Sequence, residues 1–306
     1  MITVTKGIPA KKPSEECIAK TDKDDYAFFI RKCDDDEAPG SDGFPVDSFS
    51  GDIWHPEFSD RMTMFIAGTP GAGKSYLAKE MIKLFPKNYK VLLFTALEEG
   101  DGNFKDLVKD KKRFFKIAMT PENLSTFSLD EIRTRAKRTY EAERKMKIEA
   151  RKRRREEEMS DVDDDEEEES EDPKKIPGII LLFDDVDKIR DKRVENMIFA
   201  IMEDALANGR GHEEHDGNGD LHVLCTSHAL NDYRKTKYTF ENSNYVALFP
   251  GSTARLQMYT MFDKLGLDHE LCDEMIRLGK RGEIRSIIIH KVAPMYIIFG
   301  NHIMLI

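Results

Sequence analysis

Residues 62–84 read MTMFIAGTPGAGKSYLAKEMIKL, and this stretch decides the fold. It opens on Met62–Ala67, an apolar run with the length of a buried strand. It turns through a glycine-rich segment and continues as a helix from Lys74 to Leu84, with Leu77, Ala78, Met81 and Leu84 on one face. Gly68-Thr69-Pro70-Gly71-Ala72-Gly73-Lys74-Ser75 fits G-x-x-x-x-G-K-[ST] at every fixed position. The glycines let backbone N–H groups wrap phosphate oxygens without a Cβ in the way. The helix opening near Lys74 points its positive end at the same anion. Lys74 then bridges the β- and γ-phosphates of a nucleotide, and the Ser75 hydroxyl ligates Mg²⁺. Tyr76, next in the first helical turn, is counted with these nucleotide-contacting residues.

Downstream, short apolar runs alternate with helical patterns. Val91–Thr95, Arg113–Ala118, Ile179–Phe183, Leu221–Thr226 and Tyr245–Phe249 read as strands, and Lys192–Leu206 reads as an amphipathic helix. That alternation predicts an α/β fold of three layers, a mainly parallel sheet with helices on both faces. The run Ile179–Phe183 delivers Asp184 and Asp185 at its carboxyl end, where parallel strands bind ligands. Asp184 is the expected Mg²⁺ ligand, and Asp185 the group that orients or deprotonates attacking water. Ser227 and His228 end the next strand and are placed to sense the γ-phosphate. Arg210, in a glycine-rich turn, and Arg234, ahead of Tyr245–Phe249, are candidates for the cation that stabilises transition-state charge. Asp187 reads as a helix cap or a solvated residue.

Charge along the 306 residues is segregated. The net charge is -10, yet thirteen acidic residues crowd into Glu156–Asp172, and without them the remainder carries about +3. Just before them, residues 130–155 are helical in composition and hold twelve Lys and Arg against five acids. This insertion, about 130–175, reads as a solvated helix followed by a disordered loop, and its basic part is suited to phosphate contacts. Residues 1–58 read as a partly disordered extension with one strand near Tyr26–Ile30. Residues 59–250 are the nucleotide-binding domain. Residues 251–306 form a small α+β extension, with helices at Thr253–Leu265 and His269–Leu278 and an antiparallel pair at Ser286–His290 and Met295–Phe299. Four scattered cysteines (Cys17, Cys33, Cys225, Cys272) form no metal or disulfide pattern. Neither a signal segment nor a membrane span is legible, so a cytoplasmic protein is expected.

The phosphate loop, the Asp-Asp strand and the polar-ended strand together resemble the additional-strand class of P-loop ATPases. Within it, Gly209-Arg210-Gly211-His212, Leu221–His228, Arg234 and Asn242–Phe249 are similar in order and spacing to the genome-packaging ATPases of poxviruses and other large DNA viruses, relatives of the FtsK–HerA translocases. The class usually presents Gln where Ser227-His228 stand and Glu where Asp185 stands. The resemblance implies ATP and Mg²⁺ as cofactors and self-association into a ring. It also implies a capsid or packaging partner, double-stranded DNA as the polymer moved, and a place at viral assembly sites or in the virion. The rival readings are an AAA+-like remodelling ATPase, which would carry an all-helical lid after the sheet, and a P-loop nucleotide or small-molecule kinase, whose compact arginine-rich lid residues 133–155 are too long to form. A further rival is a non-hydrolysing ATP-binding scaffold. No Asn-Lys-x-Asp sequence supports guanine recognition.

Overall fold

A computed structural model describes residues 61–95, 104–158, 178–209, 220–228, 230, 233–292, 295–300 and 302–305, and the backbone of four strands upstream. Those four are β1 (Ile2–Gly7), β2 (Glu16–Lys20), β3 (Ala27–Lys32) and β4 (Phe44–Pro45). There follow β5 (Thr63–Ala67), α1 (Lys74–Leu84), β6 (Lys90–Thr95), α2 (Lys105–Val108), β7 (Phe114–Ile117), α3 (Pro121–Ser125) and α4 (Leu129–Glu158). Next come β8 (Ile179–Asp184), α5 (Lys192–Asn208), β9 (Leu221–Ser227), α6 (Tyr233–Asn242) and β10 (Tyr245–Leu248). The chain continues through α7 (Arg255–Leu265), α8 (His269–Arg281), β11 (Ile287–His290), β12 (Tyr296–Phe299) and β13 (His302–Leu305).

Ten strands form one mixed sheet in the order β4-β13-β12-β11-β10-β5-β9-β8-β6-β7. From β10 to β7 every pairing is parallel, and from β10 to β4 every pairing is antiparallel. The α/β class and the mainly parallel sheet follow from this pattern. The strand β9 lies between β5, which feeds the phosphate loop, and β8, which ends in Asp184. The carboxyl ends of all three therefore meet. The expected antiparallel pair near the C-terminus is present as β11 and β12, and it continues the same sheet through β10. The strands β1, β3 and β2 make a separate antiparallel sheet, of which only β3 was legible as a strand.

Side-chain alternation along the strands builds the layers. On β5, Met64 and Ile66 face α1, joining Ala78, Met81, Ile82 and Phe85 in one cluster with Val91, Leu93, Ile180 and Leu182. Phe65 and Ala67 face the other way, against Met258, Met261 and Phe262 of α7 and Met275 and Ile276 of α8. On that same side Phe94, Leu181, Phe183 and Val223 meet Val194, Ile198 and Met202 of α5. The sheet is thus covered on both faces, which is why its parallel strands read as unbroken apolar runs.

The helix α1 is fixed at both ends. Its N-cap is Gly73 in a left-handed conformation. At its C-terminus the buried Arg113, just before β7, donates to the carbonyls of Ile82 and Phe85 at 3.0 Å each and to that of Tyr89 at 3.3 Å. The Ile82 carbonyl also accepts the Phe85 N–H at 3.3 Å, and Phe85 and Tyr89 follow the helix, so Arg113 gathers the carbonyls at the C-terminal end of α1 and ties β7 to it. Among the described side chains of α4, those of the first turns dock: Leu129 is buried and Ile132 and Ala136 pack on the α5 cluster. Beyond them Glu141, Lys145, Met146 and Glu149 are exposed. A helix of thirty residues is about 45 Å long. Glu156–Glu158 close α4, and the rest of the acidic run lies outside the described residues. No helix among the described residues is long and apolar enough to cross a membrane.

Phe183 is fully buried and stacked on Phe94 at 4.7 Å between ring centroids. Phe183→Ala is expected to lower unfolding free energy by about 3–5 kcal/mol, read as a shift in urea midpoint.

Candidate functional site

The phosphate loop begins where β5 ends. The Gly68 N–H donates to the Ser227 carbonyl at 3.2 Å, so the loop is anchored to the end of β9. Gly71 and Gly73 have φ of +79° and +108°, values that side-chain-bearing residues rarely adopt. Thr69 Oγ1 donates to the Ser252 carbonyl at 3.1 Å, joining the loop to the turn after β10.

Lys74 is the first residue of α1 and only 5% exposed. Its Nζ donates to the Thr69 carbonyl at 3.2 Å, across the loop, and lies 3.0 Å from His228 Nδ1. Burial lowers the Lys74 pKa; the nearby Asp185, Asp187 and Asp184 offset this only in part, while Lys188 adds to it. An ammonium has donors and no acceptor, so His228 Nδ1 must accept from it. The proton of a neutral His228 then sits on Nε2, which faces Asp185 Oδ2 at 2.9 Å. A continuous chain therefore runs from Lys74 through the His228 ring to Asp185.

Asp185 is 8% exposed and is the one side-chain-bearing residue among the described residues with positive φ, +50°. Burial pushes its carboxyl up, but the hydrogen bonds from His228 and from Lys188, at 2.9 Å, outweigh that and hold it below the usual carboxylate range. Asp184 is fully buried at the end of β8. Its Oδ1 accepts from Ser75 Oγ at 3.3 Å and from Thr226 Oγ1 at 2.9 Å. The Thr226 hydroxyl also accepts the Asp185 N–H at 3.0 Å. One hydroxyl of β9 thus holds the Asp184 carboxylate and the Asp185 N–H in register at the end of β8.

Thr226 was not singled out from the sequence. Its position is set by β9 lying beside β8, with Phe183 opposite Cys225; the available signal was a hydroxyl next to the polar end of an apolar strand. The reading of Asp187 needs correction. Its Oδ2 accepts from Ser227 Oγ at 3.2 Å and from the His228 N–H at 3.0 Å, so it ties the turn after β8 to the end of β9 rather than capping a helix. The structure brings together Lys74, Ser75, Asp184, Asp185, Ser227 and His228. Arg210 lies outside the described residues. Arg234 is in the first turn of α6, and its side chain is likewise outside them. The guanidinium that does reach the loop is that of Arg285, which the sequence reading missed: a Cβ added at Gly73 would stand 2.5 Å from Arg285 Nη2.

Among the described residues no group of three or more His, Cys, Asp or Glu is spaced to hold a metal. Mg²⁺ asks for less, since it is held by one or two protein oxygens together with phosphate oxygens and water. The Ser75 hydroxyl and the Asp184 carboxylate converge beside the loop and are hard oxygen donors, so the residues present fit that ion.

No family model matches the chain. It is 26% identical over 258 residues to the uncharacterized protein V3 of Sputnik virophage, covering 81% of this chain and 78% of that protein. Among solved structures it is similar to the cytoplasmic domain of the Thermomonospora curvata type VII secretion ATPase EccC, at TM-score 0.41 and 12% identity. That likeness covers 85% of this chain, which spans 28% of the EccC chain. It is also similar to the monomer form of the pCW3 conjugation coupling protein TcpA with ATPγS, at TM-score 0.35 and 12% identity, covering 95% of this chain and 76% of TcpA.

Thr226→Val keeps shape and removes the shared hydroxyl. It leaves the buried Asp185 N–H unsatisfied and is expected to cost about 1–3 kcal/mol in urea unfolding, more than Thr260→Val on the exposed face of α7.

Proposed function

We propose that the chain is a Mg²⁺-dependent ATPase that translocates double-stranded DNA, as the packaging motor of a virus. The observation that carries the ATPase reading is the Lys74–His228–Asp185 chain at the mouth of a glycine-rich phosphate loop, beside the Ser75–Asp184 oxygen pair.

The chemistry divides among this chain's residues. Loop N–H groups and Lys74 receive the β- and γ-phosphates, and the phosphates take over the Lys74 ammonium that otherwise donates to Thr69 and His228. Ser75 and Asp184 would hold Mg²⁺, which neutralises charge on the phosphates when bound. Asp185 stays ionised because its carboxyl lies below the usual range. A carboxylate of that kind is a weak base, so it acts by accepting a hydrogen bond from the attacking water and aligning it. A loose phosphoryl-transfer transition state asks for positioning more than for early proton removal. With Lys74 drawn away, His228 Nδ1 loses its donor while Nε2 still faces Asp185, so this ring links occupancy of the loop to the aligning carboxylate.

The DNA reading rests on other features. The basic part of α4 follows its docked first turns, and a basic helix of this kind contacts phosphate without reading sequence. The relative encoded by a virophage, matched over four fifths of the chain, supports a viral setting. After α7 and α8 the chain returns to the sheet as β11–β13, which disfavours the AAA+ reading with its helical lid. The domain limits 1–58, 59–250 and 251–306, self-association into a ring, and a transition-state cation from Arg210 or Arg234 belong to the same proposal.

ATP turnover by purified protein, with and without double-stranded DNA, tests it. Expected is turnover abolished by Lys74→Ala and raised severalfold by DNA, with the stimulation fading as salt rises because phosphate contacts release counterions. Lys74-dependent turnover indifferent to DNA would overturn the translocation reading, and absence of turnover under both conditions would overturn the ATPase reading.

A further inference from the structure

A cleft of about 290 Å³ opens beside the phosphate loop, on the flank of α1. Tyr76, Leu77 and Glu80 of α1 form one wall, and Phe249, Arg285 and Ile298 form the other. The second wall belongs to the antiparallel end of the sheet, since β10, β11 and β12 are neighbours there. The lining is mostly apolar around a few polar groups, the character of a small-molecule site.

Arg285 stands at the mouth of this cleft. Its Cζ lies 5.2 Å from the centroid of the Tyr76 ring, and its guanidinium rests against the backbone of Gly73, the residue before Lys74. Among the described residues it makes no ion pair and no hydrogen bond, and it is exposed. A guanidinium beside an aromatic ring is drawn to its electron-rich face, and its own flat surface can stack on a second planar group. The absence of a Cβ at Gly73 has a second consequence here, beyond its φ. Any side chain there would expel Arg285 from the loop.

We infer that the cleft receives the nucleoside of a bound nucleotide and that Arg285, braced on Tyr76, clamps it. The inference rests on the nucleotide reading of the loop and adds to it where the base lies and which residue grips it. Bases stack on guanidinium planes as they do on aromatic rings, and the apolar walls exclude water from the other side. The clamp comes from the C-terminal layer of the sheet, so the segment after β10 completes the nucleotide site. Arg285 is on this account a binding residue, and the rate of the chemical step does not depend on it.

Steady-state ATP turnover and competition by inorganic tripolyphosphate test the clamp in wild type, Arg285→Ala, Arg285→Lys, Tyr76→Ala and Lys74→Ala. A lost stacking and charge contact is expected to raise KM for ATP about tenfold in Arg285→Ala, with the change falling on KM rather than kcat. Arg285→Lys restores the charge without the plane and recovers only part of the loss. Tyr76→Ala raises KM in the same direction. Tripolyphosphate has no nucleoside, so its inhibition constant stays at the wild-type value in Arg285→Ala. A fall in kcat at constant KM would overturn the clamp in favour of a transition-state cation. Equal loss of affinity for ATP and tripolyphosphate would overturn it in favour of a phosphate ligand. An Arg285→Ala protein with wild-type KM and Lys74-dependent turnover would overturn the clamp alone. A wild-type protein whose turnover ignores Lys74→Ala would overturn the nucleotide reading beneath it.

Discussion

The rest of the site depends on one buried cation. Lys74 stands at the start of α1 with almost no exposure, and burial makes its charge costly. The fold meets that cost with a carbonyl across the loop, an imidazole nitrogen and three nearby aspartates. These partners sit on the loop after β5, just past β9, and at and just past the end of β8, so satisfying one ammonium specifies how three strand ends must meet. An isolated buried charge is unstable, while one surrounded by partners that a phosphate can replace is poised for exchange. Nucleotide binding on this view substitutes one set of acceptors for another and needs no rearrangement of the sheet.

The strand order makes that meeting possible. With β9 between β5 and β8, a single hydroxyl on Thr226 reaches both Asp184 and Asp185, and His228 spans from the loop to Asp185. Asp185 has to adopt a left-handed backbone conformation to take part, which an Asp tolerates better than most residues with a side chain. The Asp187 carboxylate then pins the end of β9 from the side of β8, through Ser227 and the His228 N–H. The local strain at Asp185 is held by contacts from two strands, as expected where a conformation serves a site.

Much of this was legible because it is written locally. The loop needs glycines at fixed offsets, a helix must start at Lys74, and buried parallel strands are continuous apolar runs. The strand at Ile179 therefore announced both its burial and the two aspartates at its end. What stayed hidden depends on who neighbours whom. Thr226 matters only because β9 intervenes between β5 and β8, which no local pattern states. Arg285 comes more than two hundred residues after Gly73 and reaches it because β10 pairs with β5 and β11 with β10. Arg210 and the Arg234 side chain lie outside the described residues; among the described ones, the guanidinium at the loop comes from a segment read as an extension. Asp187 looked like a cap because a short turn follows it, and its partners lie about forty residues onward.

The α4 insertion and the loop answer different physical demands. One is a charged helix that docks by its first turns, and the other is a pocket whose side chains hydrogen-bond one another. In the proposed function it is the pocket, through Lys74, Ser75 and Asp184, that receives a nucleotide with its cation. Calorimetric titration of ATPγS into the wild-type chain and Lys74→Ala, each with and without Mg²⁺, tests that most directly. The account predicts saturable binding to the wild type that tightens severalfold with Mg²⁺ and is lost in Lys74→Ala. Binding that ignores both the cation and Lys74 would contradict it.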